Sequence, residues 1–82
     1  MEESVLALVG ERLAAFRVRT GRTIENAASD AHIDTERLVD AENGEFALTE
    51  NELRALADTY GIDITEFFGG SVIPINYLFG VG

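Results

Sequence analysis

Gly21-Arg22-Thr23-Ile24-Glu25-Asn26-Ala27-Ala28-Ser29-Asp30-Ala31-His32-Ile33-Asp34-Thr35-Glu36-Arg37-Leu38-Val39-Asp40-Ala41-Glu42-Asn43-Gly44 is the stretch on which the fold of this 82-residue chain turns. Ile24, Ala27, Ala28 and Ala31 recur at helical spacing, and Thr23 before them has the hydroxyl that an N-cap requires. Three alanines on one face let a neighbouring helix approach closely. After a break at His32-Ile33, Asp34 reads as the cap of a second short helix with Leu38 and Ala41 pointing inward. Gly44 closes it, at a position where a left-handed backbone needs no Cβ.

Working outward, residues 3–20 carry Val5, Leu8, Val9, Leu13 and Phe16 as one apolar helical stripe, with Gly21 as its stop. On the other side, Thr49-Glu50-Asn51-Glu52 is a capping box for a helix whose core face is Leu53, Leu56, Ala57 and Tyr60. Gly61 ends that helix. Asp63-Ile64-Thr65-Glu66 repeats the start signal before a short fifth helix with Phe67 and Phe68, which Gly69-Gly70 breaks. Residues 71–82 are apolar, β-branched and interrupted by Pro74, the pattern of an extended arm. The expectation is an all-α domain of five helices over residues 1–70, with a C-terminal arm over residues 71–82.

Charge narrows the function. The net charge is −9, unevenly spread. Residues 11–22 hold Arg12, Arg17, Arg19 and Arg22 against Glu11, whereas residues 23–82 hold Arg37 and Arg54 against twelve acids. Such a chain has little non-specific affinity for a polyanion, though a local basic stripe still acts, because screening confines each charge to about 8 Å. There is no cysteine, which removes disulfides and thiolate metal sites and fits a reducing cytoplasm. No positive n-region opens the chain, and no apolar run approaches the roughly 18–20 residues that span a bilayer. A cytoplasmic protein without membrane contact is expected. His32 is the single histidine and has no clustered ligands, so it reads as a turn residue and neither metal nor cofactor is expected. No nucleophile, base and orienting acid are spaced as a catalytic set, so the chain is not read as an enzyme.

Two short helices joined by a tight turn have the spacing of the DNA-binding helix-turn-helix, whose second helix enters the major groove. Val9-Gly10-Glu11-Arg12-Leu13, Thr20-Gly21, Glu42-Asn43-Gly44 and Leu56-Ala57-Asp58-Thr59-Tyr60-Gly61-Ile62 together resemble the phage-repressor (Cro-like, XRE-type) family across residues 8–68. The resemblance implies a lambda-repressor-like fold and a transcriptional regulator that binds a double-stranded operator as a homodimer. It places Arg17 where an arginine pairs with the glutamate matching Glu42. Thr23 and Asn43 stand where phosphates are approached, and Thr35, Glu36, Arg37 and Asp40 where base edges are read. From the charge pattern, Arg12, Arg17, Arg19 and Arg22 form either a phosphate-gripping edge, with Arg19 and Arg22 the better candidates, or a set that neutralises the acids of the second and third helices within the monomer.

Three positions depart from the family pattern. Ile24 replaces a DNA-bracing Gln, His32 replaces the turn Gly, and the reading helix is acidic. Of its acids, Asp34 is expected to serve as a cap and Glu42 to pair with Arg17. Glutamate can accept from a cytosine amine, so an acidic reader remains compatible with DNA. A second reading makes the same fold a protein-interaction module whose acidic helices engage a basic partner. In the arm, Val72, Ile73, Ile75, Tyr77, Leu78 and Phe79 are too apolar to leave in water, and a twofold dimer contact is expected there. The alternative is an arm folded back over the first and last helices.

Overall fold

The computed structural model describes residues 5–69. The chain forms α1 (Val5–Arg19), α2 (Ile24–Ala31), α3 (Thr35–Glu42), α4 (Glu50–Tyr60) and a closing 3₁₀ helix (Ile64–Phe68). The described residues contain no strand. The fold is all-α, as expected. The fifth helix is a single 3₁₀ segment of five residues, capped by Asp63 on one side and stopped by Gly69, at φ +76°, on the other. The arm, with Val72, Ile73, Ile75, Tyr77, Leu78 and Phe79, lies outside the described residues.

Local chemistry sets the boundaries. The Thr23 hydroxyl accepts from the Asn26 amide at 3.1 Å, and the capping box at α4 is complete. Thr49 accepts from the Glu52 amide at 3.1 Å while Glu52 accepts from the Thr49 amide at 2.8 Å. Asp34 differs from expectation. It occupies the N-cap of α3 with an extended backbone, but its carboxylate makes no cap hydrogen bond. That charge is left on the surface instead of being absorbed.

α1 packs on α3 and on the 3₁₀ helix, while α2 packs on α3 and α4. Between them Leu13, Leu38, Leu48, Leu53, Leu56 and Phe67 are fully buried. Each such side chain contributes about 1.5–3 kcal/mol by leaving water. Phe67 sits edge-on to Phe16 and Tyr60, with ring centres 6.0 and 6.3 Å away. Ala27, Ala28 and Ala31 are buried, as the small-residue face of α2 implies. Leu8 was expected in the inward stripe of α1, yet it is 41% exposed. The helix is inclined so that Gly10 takes the inward place. A Cβ there would lie 2.5 Å from the Ala41 carbonyl oxygen and 2.7 Å from that of Glu42, so backbone meets backbone.

Candidate nucleic-acid interface

α2 ends at His32, whose φ of 59° and ψ of 44° are left-handed. Its amide and that of Ile33 close the end of α2 on the Ala28 and Ser29 carbonyls. The chain then turns through Asp34 directly into α3. Leu38 and Ala41 bury one side of α3, which fixes what the other side presents. Glu36, Val39, Asp40 and Asn43 are exposed and follow one another at helical spacing, so they form a single outward face. Thr35 is half-buried at the start of the helix. Val39, 38% exposed, was absent from the expected set. Its signal was its place between Glu36 and Asp40 on the same wheel position, and its methyl groups suit a thymine methyl.

The arginines divide sharply. Arg17 donates from Nε to Glu42 at 2.7 Å, from Nη2 to the same carboxylate at 3.0 Å, and from Nη1 to the Arg22 carbonyl at 3.0 Å. This fork ties α1 to the C-terminal end of α3 and to the loop before α2. Its hydrogen bond to Glu42 pushes the Arg17 pKa further up, so the cation is permanent. Arg22 pairs with Asp30 and donates to the Thr59 carbonyl at 3.1 Å, which joins the loop to the end of α4. Arg37 donates to both oxygens of Glu52, at 2.7 and 3.0 Å, with its guanidinium 4.5 Å from the centre of the Phe46 ring. Arg54 is held by Glu50 one turn earlier.

Arg22 and Arg37 were therefore expected at the nucleic acid but are engaged within the fold. The reason is that α4 presents the Glu52 carboxylate to Arg37 and the Thr59 carbonyl to Arg22, while Asp30 of α2 supplies the carboxylate at Arg22. Glu52 holds its proton less readily than an ordinary carboxyl group. Partial burial works against ionisation there, but the bonds from Arg37 and from the Thr49 amide outweigh it. Arg19 lies over the Phe16 ring at 5.0 Å and, like Arg12, has no carboxylate partner among the described residues. Thr23 and Asn43 are exposed at the start of α2 and the end of α3. No cluster of His, Cys, Asp or Glu among the described residues could hold a metal ion, and no described helix is long and apolar enough to cross a membrane.

A helix-turn-helix domain profile matches residues 8–67. The chain belongs to the helix-turn-helix family. Within it the chain is of the phage-repressor, Cro-like (XRE) type. Solved structures share this fold. One is the clp gene regulator ClgR from Corynebacterium glutamicum, at 19% identity and TM-score 0.79, with 83% of this chain and 72% of that one covered. A second structure of ClgR from the same organism gives 20% identity and TM-score 0.76, covering 88% of this chain and 97% of the other. A point mutant of the restriction-modification controller protein C.Esp1396I gives 23% and 0.73, covering 85% and 89%. No curated protein matches the chain in sequence. Compared with the family pattern, this helix-turn-helix has its Arg–Glu fork between α1 and α3 in place, a left-handed His in its turn, and an outward α3 face with no arginine free upon it.

Proposed function

We propose that this chain is a sequence-specific DNA-binding transcription regulator that acts as a homodimer and reads its operator with α3. The observation that carries the reading is the outward face Glu36, Val39, Asp40 and Asn43, held rigidly by Arg17–Glu42 at one end and by Arg37–Glu52 at the other. Base readers work when a scaffold locks them, and α3 is clamped from both sides. Glu36 and Asp40 accept from cytosine amines, Val39 meets a thymine methyl, and Thr35 and Asn43 exchange hydrogen bonds with base or phosphate. Arg19 and Thr23 grip the backbone. Arg22 and Arg37 join only by exchanging Asp30 and Glu52 for a phosphate or a guanine.

Selection from a pool of random duplexes, at low and at physiological salt, tests this directly. The expected result is one enriched, twofold-symmetric sequence with half-sites about 34–36 Å apart. Because so few arginines are free, the salt dependence should be shallow, about −0.9 in log–log slope for each neutralised phosphate. One gripped phosphate per protomer gives a slope near −2 for a dimer.

A specific observation favours the interaction-module reading as the second. Four of the six arginines are neutralised by carboxylates, and Glu25, Asp34, Glu36, Asp40 and Glu45 stay exposed without an arginine at salt-bridge distance among the described residues. No enrichment even at low salt overturns DNA reading and moves the search to basic protein partners of α2 and α3.

A further inference from the structure

The two arginine forks that hold α3 differ in how firmly they close. Arg17 spends all three of its side-chain nitrogens, on both Glu42 oxygens and the Arg22 carbonyl, and its side chain is 19% exposed. Arg37 spends Nε and Nη2 on Glu52 and leaves Nη1 without a hydrogen-bond partner among the described residues. Its side chain is 38% exposed. It is the only arginine of α3, and it stands about 100° round the helix from Glu36. That is the flank between the outward face and the buried side of Leu38 and Ala41, from which a long stem can point either way. Here it points to α4, with the Phe46 ring centre 4.5 Å from its guanidinium.

Glu52 does not depend on Arg37 for its place. Its Oε1 also accepts from the Thr49 amide at 2.8 Å, in the first turn of α4, where the helix dipole favours an anion. If Arg37 leaves, that carboxylate stays hydrogen-bonded and partly solvated. α3 also stays seated, because Leu38 and Ala41 are buried and Arg17 still holds Glu42. The pair can open without unfolding either helix.

We propose that Glu52 and Phe46 form a latch that withholds Arg37 from DNA, so that these two residues set the affinity and base preference of α3. The proposal rests on the regulator reading. Latch and ligand offer the same chemistry. A carboxylate presents two oxygens to the guanidinium fork, a phosphate does likewise, and guanine presents O6 and N7. The Nε–Nη2 edge cannot serve Glu52 and DNA at once. With the latch closed, α3 reads with Glu36, Val39, Asp40 and Asn43 and no cation. Opening it adds one positive charge to an acidic face, and bound DNA replaces Glu52 as the second hold on α3.

Duplex selection and binding over a salt series test the latch, using the full chain, Glu52→Gln, Arg37→Ala and the double variant, each checked for folding by circular dichroism. Glutamine keeps an acceptor for the Thr49 amide and removes the charge that holds Arg37. Glu52→Gln should bind about fivefold more tightly per protomer, roughly 25-fold for a dimer, and this gain should vanish in the Arg37→Ala background. Phe46→Leu changes no charge and should give a smaller gain, about twofold per protomer, with the same dependence on Arg37. The salt series identifies the receiving group. A slope steeper by about 0.9 per protomer marks a phosphate, and an unchanged slope with a newly enriched guanine in each half-site marks a base edge. No gain in either variant overturns the latch, and so does a gain that persists without Arg37, which would mean that Glu52 merely repels DNA. The regulator reading survives both results as long as the full chain selects a duplex. It fails, and the latch with it, if neither the full chain nor Glu52→Gln selects one.

Discussion

The two long faces of α1 both carry arginines and small residues but have different surroundings. On the inner face Gly10 lets the α3 backbone touch α1, and Arg17 forks onto a carboxylate that is only 9% exposed. On the outer face Ala15 is exposed, and Arg19, two residues after Arg17, rests on the Phe16 ring without a carboxylate partner among the described residues. The same side-chain type is structural at one position and available at the other. Availability depends on what the neighbouring elements offer, and α3 offers Glu42 on one side only.

The sharpest way to break this contrast is Gly10→Ala. Its Cβ would stand 2.5, 2.7 and 3.0 Å from backbone atoms of Ala41, Glu42 and Gly44, none of which can rotate away. Alanine's better helix propensity returns about 1 kcal/mol, so a net loss of about 3 kcal/mol is expected in a thermal or urea melt. An unchanged midpoint would mean that α1 does not press on α3 this closely. Next in size is Arg17→Ala, which strands Glu42 in a largely dry site and should cost about 2–3 kcal/mol. Arg19→Ala serves as its control, with an expected change within about 0.5 kcal/mol. Equal losses from the two would erase the distinction between the faces.

A held arginine on α3 extends the contrast at smaller scale. Arg37 and Glu52 are bonded through both oxygens but are partly solvated, so Arg37→Ala should cost only about 1 kcal/mol of stability. Their pairing has a pH signature. Because the folded protein depresses the Glu52 pKa below its ordinary 4.5, its contribution is complete above that value and drains away as pH falls through the folded pKa. Melting temperature should therefore decline below about pH 4.5, and Glu52→Gln should flatten part of that decline. A Glu52→Gln profile parallel to wild type would show that the pair does not hold α3.

These contrasts mark where sequence reading stops. The caps at Thr23 and Thr49, the stops at Gly21, Gly44 and Gly61, and the inward leucines of α3 and α4 were legible, since each depends on neighbours within one helical turn. Arg17 with Glu42 was legible only through the family resemblance. What was not legible depends on pairs far apart in the chain. Arg37 reads as an exposed cation until α4 places Glu52 beside it, fifteen residues on. Arg22 meets the Thr59 carbonyl across thirty-seven residues, and no local pattern marks that contact. The stripe placed Val9 and Leu13 inward correctly, but Leu8 lies at its edge and Gly10 carries no side chain to mark it, so periodicity could not show that Gly10 takes the inward place. Asp34 has the residue type of a cap, but its side chain does not perform one.

A small effect of the opposite sign is expected at His32, which contrasts with every held side chain above. It is exposed, and its backbone alone is gripped, with its amide directed to the Ala28 and Ser29 carbonyls at a φ of 59°. A left-handed backbone costs an ordinary L residue about 1–2 kcal/mol, and histidine somewhat less because it tolerates this region better than most. Glycine removes that cost but loses about 0.5–1 kcal/mol through its freer unfolded chain. His32→Gly should therefore stabilise the domain by less than about 1 kcal/mol, raising its melting temperature by a few degrees. Its outward α3 face and DNA selection should be unchanged. A destabilised His32→Gly variant would mean that the imidazole makes a contact the turn needs. In that case the departure from glycine in this helix-turn-helix would be an interaction and not merely a tolerated substitution.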